Sequence, residues 1–222
     1  MFTNRNTSTE NATKQSAVQG RGPDNPRTEG PSLTIARIGS FSALVAVGTI
    51  LSNVLLGFPL PPPLSEITFA PAIYMAIAVL FSRRVSFWST AIGSVVGETI
   101  NIFVFGEAAG VFALTFVPGI LLARAPEALI IFRLRQGSLR LVILGMALGT
   151  VFETMVFFLI DWPVYSLTAF YCPSTPCAPS GLVNGFWLAA FDFGTLIDLL
   201  WIPVALALIV AARRAFNIRF FS

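Results

Sequence analysis

Long apolar runs alternate with short basic clusters along this chain, and that alternation leaves few folds open to it. Lys and Arg occur in the tail up to Arg37, at Arg83 and Arg84, from Arg124 to Arg140, and at Arg213, Arg214 and Arg219. The runs between the clusters are close to the ~20 residues a helix needs to cross the hydrocarbon layer. With the basic segments assigned to the cytoplasmic side, all fourteen Lys and Arg residues fall on one face of a six-span plan with both termini inside. The outer loops then carry only the acids Glu66, Glu107 and Asp161. The expected spans lie near 38–58, 65–81, 85–105, 111–134, 139–160 and 186–212. The second is short, and its Pro71 marks a kink or a late start.

Composition agrees with a cell-membrane location. With 55% hydrophobic residues, 11% charged residues and a mean hydropathy of +0.77, the 222 residues hold too little polar surface for a soluble globule. The expected class is therefore all-α: a polytopic bundle of six transmembrane helices over residues 34–214. A pI near 9.3 raises nucleic acid as a partner, but the basic residues sit as short clusters beside apolar spans, so they read as topology determinants contacting membrane lipid. Residues 1–33, rich in Thr, Asn, Ser, Gly and Pro, cannot bury a core and are expected to form a disordered cytoplasmic tail, with 215–222 a short cytoplasmic tail at the other end. The tail lacks an early apolar region followed by a small-residue cleavage site, so the first span is expected to act as its own insertion signal.

Several chemistries are excluded. The chain has no His, which removes histidine triads and His-ligated metal sites, and no metal or other cofactor is expected. Lys14 is the only lysine and lies in no G-x-x-x-x-G-K-[ST] motif, so any ATP-driven work must come from another subunit. Asp192 and Asp198 share one span rather than facing each other from two, against an intramembrane aspartic protease, and no nucleophile and base pair points to an enzyme.

Two outer connections bear on function. The first holds Pro61, Pro62 and Pro63, which favour stiff polyproline II backbone and read either as a flap over a pocket or as a linker. The third contains Cys172 and Cys177, a candidate disulfide in an outward loop or two free thiols. In the first span, Gly39 with Ala43 and Ser42 with Ala46 form small-x-x-x-small pairs that would meet either a partner protein or neighbouring helices. Gly93 with Gly97, and Gly145 with Gly149, repeat the device and read as internal packing.

Chemistry concentrates in acids inside the apolar spans: Glu98, Glu127, Glu153, Asp192 and Asp198. A charge at membrane depth costs at least a few kcal/mol, so it normally faces a cavity or a partner. Arg124 precedes Glu127 by three residues and reads as its ion-pair partner on the inner side. Glu98, Glu153 and Asp192 have no cation in their own spans and would converge at similar depth if their helices are neighbours. Asn101 shares the Glu98 face, while Asn184 and Trp187 lie above Asp192. Glu98, Asn101, Glu153, Trp187 and Asp192 are thus the candidate substrate-binding set, suited to a small, partly aromatic ligand with positive charge or several N–H donors. The alternative is that these acids are protonated and bonded to Ser, Thr or backbone groups, and Asp198 reads as structural.

Six spans with both ends inside, a proline-bearing first outer loop and the stretch FAPAIYMAIAVLFSRRVSFWSTAIGSVVGE together resemble the substrate-binding S component of energy-coupling factor (ECF) transporters. The resemblance covers roughly 32–214 and is one of pattern. It implies that the chain binds a vitamin or similar micronutrient from outside, while a separate T subunit and ATPase subunits drive its release inward. The family commonly docks its T subunit through Ala-x-x-x-Ala on the first span; the matches here are Gly39 with Ala43 and Ser42 with Ala46, which depart from it. The expected function is capture of a small heterocyclic nutrient in the acid and aromatic pocket. A stand-alone ion-coupled carrier using Glu153 or Asp192, and a membrane scaffold without a small-molecule ligand, are the alternatives.

Overall fold

The computed structural model describes residues 30–56, 68–105, 111–167 and 181–216. The chain divides into two units, Met1–Pro31 and Ser32–Ser222, and the helical bundle belongs to the second. The expected tail disorder, the triple-proline connection and the Cys172–Cys177 pair lie outside the described residues.

Helices follow the apolar runs: α1 Pro31–Leu56, α2 Ala70–Leu80, α3 Arg83–Phe105, α4 Val111–Leu134, α5 Leu139–Leu167, α6 Gly181–Ala189 and α7 Ile202–Phe216, with a 3₁₀ segment, Ala190–Trp201, joining the last two. No strand occurs among the described residues. Among the described residues, four stretches are long and apolar enough to cross a membrane: Pro31–Leu51, Arg83–Val104, Leu139–Leu167 and Gly181–Ala215. Length and hydropathy therefore mark a membrane protein.

The short α2 is the hub. Pro71 sits in its first turn, where a missing N–H costs nothing, so of the kink or late start expected at this proline it is the late start that forms. The alanines at 70, 72, 76 and 78 favour the helix and let neighbours come close. Every residue but Ile73 is buried, so the helix is covered on all sides. It packs against α3, α4, α7 and the 3₁₀ segment, and its Tyr74, Met75 and Ile77 share a core with Val85, Ile131, Val142, Met146, Ile202 and Ile209. Its C-terminus is held by Arg135, from the turn between α4 and α5, whose Nη1 donates to the carbonyls of Val79, at 3.0 Å, and Phe81. A cation at that end also complements the helix dipole. Ser86 of α3 donates back to the Ile77 carbonyl at 3.3 Å, tying the next helix to the same end.

Glycines set the close helix contacts. A Cβ on Gly93 would lie 2.6 Å from the Ser42 carbonyl oxygen and 2.6 Å from Val45 Cβ; one on Gly97 would lie 2.7 Å from Thr49 Cβ. The Ser42 and Ala46 side of α1 is thereby spent on α3, whereas Gly39 and Ala43 remain exposed. Gly145 and Gly149 meet α4, against Leu134 and Glu127 respectively. Thus the two glycine pairs pack internally, and the first-span stripe divides between an internal and an open face.

Two boundaries differ from expectation. The fifth helix does not stop near 160 but runs to Leu167 through Pro163, which carries Asp161 out of the expected loop and buries it. The last span starts at Gly181, and its middle is the 3₁₀ segment rather than α-helix. A 3₁₀ helix has three residues per turn, so Asp192, Thr195 and Asp198 stack in one line, and these three are its buried residues.

The α1–α3 seam yields a contrast. Gly93→Ala should destabilise by about 1–3 kcal/mol, because the new methyl meets backbone that cannot swing away. Gly39→Ala, with nothing within 4 Å of its Cβ, should be neutral or slightly stabilising. Thermal unfolding of the two variants in detergent measures the difference, and equal midpoints would contradict the seam.

Candidate functional site

One guanidinium organises the buried polar centre. Arg124 projects from α4 between α3 and α5, its Nη1 3.1 Å from Glu98 Oε1 and its Nε 2.8 Å from Glu153 Oε1. Two outer partners complete the carboxylates. Tyr74 of α2 donates its hydroxyl to Glu153 Oε2 at 3.1 Å, and Asn101 Nδ2 donates to Glu98 Oε2 at 3.3 Å. All five side chains are buried, and together they tie α2, α3, α4 and α5 at one level.

This geometry revises the expected ion pair. Arg124 does not turn along its own helix to Glu127 but reaches across to two neighbours, and it lies inside the bundle rather than in an inner basic loop. The physical reason is cost: two carboxylates without a cation at this depth would be far more unfavourable than one. Glu98 and Glu153 are therefore not an uncompensated acid pair.

Glu127 lies beside Glu153 and Tyr74 and interacts with both side chains. Its Oε1 accepts from Thr150 at 3.5 Å, while Oε2 has no hydrogen-bond partner among the described residues. Gly149 makes room for it, since a Cβ there would stand 2.7 Å from Glu127 Cγ. Asn101 Oδ1 is likewise buried without a partner among the described residues. One acceptor oxygen on α3 and one on α4 thus remain open beside the ion-paired centre.

The candidate residues divide accordingly. Glu98, Asn101 and Glu153 come together around Arg124. Asp192 is buried on the 3₁₀ segment and connects through Thr195, whose Oγ1 lies 2.7 Å from the Asp192 carbonyl oxygen and 2.6 Å from Thr154 Oγ1, on the residue after Glu153. Trp187 stands apart: it is 66% exposed and meets Phe186 edge-on with ring centroids 5.5 Å apart. With Asn184, Leu188, Ala190 and Phe191 it lines an open cleft of about 460 Å³. Next to this cleft, Phe158, Trp162, Phe186 and Phe193 form an aromatic cluster, and Trp162 Nε1 donates to the Leu182 carbonyl at 3.0 Å, fixing α6 on α5.

Tyr74 and Thr154 were not singled out by sequence: Tyr74 is an isolated polar residue in an apolar run, and Thr154 is a neutral neighbour of Glu153. Arg124 did leave a signal: it is a lone cation within apolar sequence while three other spans carry acids.

Arg124→Leu should cost about 3–5 kcal/mol, since it strands two buried carboxylates. Glu98→Gln should cost less, about 1–2 kcal/mol, because Arg124 keeps Glu153 and the new amide still offers an acceptor to Asn101. Unfolding midpoints in detergent separate the two, and an Arg124→Leu protein as stable as the parent would show that the guanidinium does not organise the centre. No family model, curated protein or solved structure matches the chain.

Proposed function

We infer that this chain is the membrane-embedded substrate-binding subunit of an ECF-type uptake transporter. In this reading six helical spans hold both termini in the cytoplasm, and a small heterocyclic vitamin or related micronutrient is captured from outside. ATP hydrolysis belongs to separate subunits, which dock by way of a T subunit on the open Gly39 and Ala43 face of α1.

The observation that carries the reading is the ion-paired centre itself. Burying a guanidinium and two carboxylates in an apolar bundle is expensive, and replacing such a group by well-packed apolar residues is often neutral or stabilising. Retention of intramembrane charge therefore points to function. Beside it, Asn101 Oδ1 and Glu127 Oε2 offer two acceptors to a ligand with N–H or O–H donors. Because Arg124 already balances much of the charge on Glu98 and Glu153, the ligand need not be a strong cation; a neutral or weakly basic heterocycle suits the centre better. The cleft at Asn184 and Trp187, about 460 Å³, is within the size range of small-molecule sites and would serve as the outer approach.

A stand-alone proton-coupled carrier is the second reading, favoured by the open and fully buried Oε2 of Glu127 beside an already ion-paired Glu153. The two differ in what drives transport. Proteoliposomes containing this chain alone would accumulate solute in response to a pH gradient under the carrier reading and would not under the uptake-subunit reading.

Purified protein screened by thermal shift against water-soluble vitamins and modified-base precursors tests the ligand class. A true ligand at about a thousandfold over its dissociation constant should stabilise by roughly 4 kcal/mol. The shift should be reduced in Asn101→Ala and lost in Glu127→Gln/Asn101→Ala. Folded, unoccupied protein that no compound in the panel shifts would defeat the vitamin-binding reading.

A further inference from the structure

At the opposite end of α3 from Phe105, a second and unrelated feature appears. Arg83 and Arg84 open the helix, both exposed, and neither has an ion-pair partner among the described residues. With Phe87, Trp88 and Leu129 they line a cleft of about 270 Å³ between α3 and α4. Helix stability does not explain the pair, because cations in the first turn oppose the helix dipole. The neighbouring Arg135 differs from them: its guanidinium is engaged with the Val79 and Phe81 carbonyls and stacked 4.0 Å from the centre of the Phe132 ring. Arg83 and Arg84 are thus two exposed cations side by side at the α2–α3 turn.

The rest of the lining is apolar and aromatic. Trp88 is half exposed and meets Phe87 edge-on with centroids 5.2 Å apart, while Phe87 and Leu129 are half buried in the cleft wall. The stretch Arg83–Val104 is long and apolar enough to cross a membrane, so its first turn stands where hydrocarbon gives way to headgroups. Tryptophan is enriched at that level. Two free guanidinium groups above an apolar wall match a molecule whose phosphate and acyl chain lie at the same two depths.

We propose that this cleft is a binding site for an anionic phospholipid. Arg83 and Arg84 take the phosphodiester oxygens, a pairing that the planar donor fork of arginine favours. Phe87, Trp88 and Leu129 receive the upper part of an acyl chain. A free phosphate would use the arginines and leave the apolar wall idle, so the lipid is the occupant that uses the whole lining. If the two arginines served only to orient the chain in the membrane, any exposed cation would do and no headgroup preference would arise.

The full chain, purified and delipidated in detergent, would be titrated with phosphatidylglycerol, phosphatidylcholine or sodium phosphate while native mass spectrometry counts bound lipid and thermal unfolding reports the midpoint. Phosphatidylglycerol should be retained at least tenfold more tightly than phosphatidylcholine and raise the midpoint, and phosphate at equal concentration should leave it unmoved. The R83Q/R84Q protein, altered only at exposed positions, should unfold at the parental midpoint without lipid and lose the preference, while R83K/R84K should keep part of it. Equal retention of the two lipids, a preference that survives R83Q/R84Q, or an equal shift with inorganic phosphate would each overturn the proposal.

Discussion

Everything in the bundle is arranged around the electrostatics of one guanidinium among buried carboxylates. Arg124 is the cation that Glu98 and Glu153 share, and the distances of 3.1 and 2.8 Å leave no space for an intervening water. In a low-dielectric interior such a pairing is strong, yet the desolvation it must offset is of the same order. The favourable balance comes from completion: Tyr74 and Asn101 satisfy the far oxygens, so both carboxylates are bonded on both sides. This is why α2, only 11 residues long, holds a central place. It supplies the phenol that closes the network, and its alanine-rich surface lets four other elements approach.

Hydroxyls handle the remaining polarity in a different way. Thr49, Ser89 and Thr99 each donate to the carbonyl four residues earlier, which satisfies the side chain without a partner from another helix. Beside these hydroxyls closed on their own helix stand groups that join helices, among them the Tyr74, Ser86 and Thr150 hydroxyls as well as the charged and amide groups. Thr195 belongs to neither class alone, since it touches both its own backbone and Thr154 on α5. That contact anchors the 3₁₀ segment where its acid-bearing line faces the bundle.

Much of the architecture was legible in the sequence because apolar length and small-residue spacing act locally. The runs between basic clusters became helices, Pro71 marked a helix start, and Gly93, Gly97, Gly145 and Gly149 marked close contacts. What sequence could not supply was partner choice across helices. Three-residue spacing offered Glu127 to Arg124, and only the packing of α3 and α5 against α4 made Glu98 and Glu153 the better partners. The same reason hid Tyr74, whose role depends on Glu153, 79 positions away on another helix. The end of α5 was placed too early because the acid at 161 was assigned to an outer loop, whereas the helix runs through Pro163 to Leu167 and Asp161 is buried within it. Trp187 was grouped with the acids by proximity in sequence to Asp192, but successive positions on a helix face different ways, and the tryptophan faces outward.

The fit of Glu127 against Gly149 has a historical consequence. Any side chain at 149 would collide with the Glu127 methylenes, and a shorter residue at 127 would leave a void opposite the glycine. The two positions therefore form one unit of variation: among descendants of this sequence, an alanine or serine at 149 should be found only where the acid at 127 has already been shortened or lost, and the order of those two changes would be fixed.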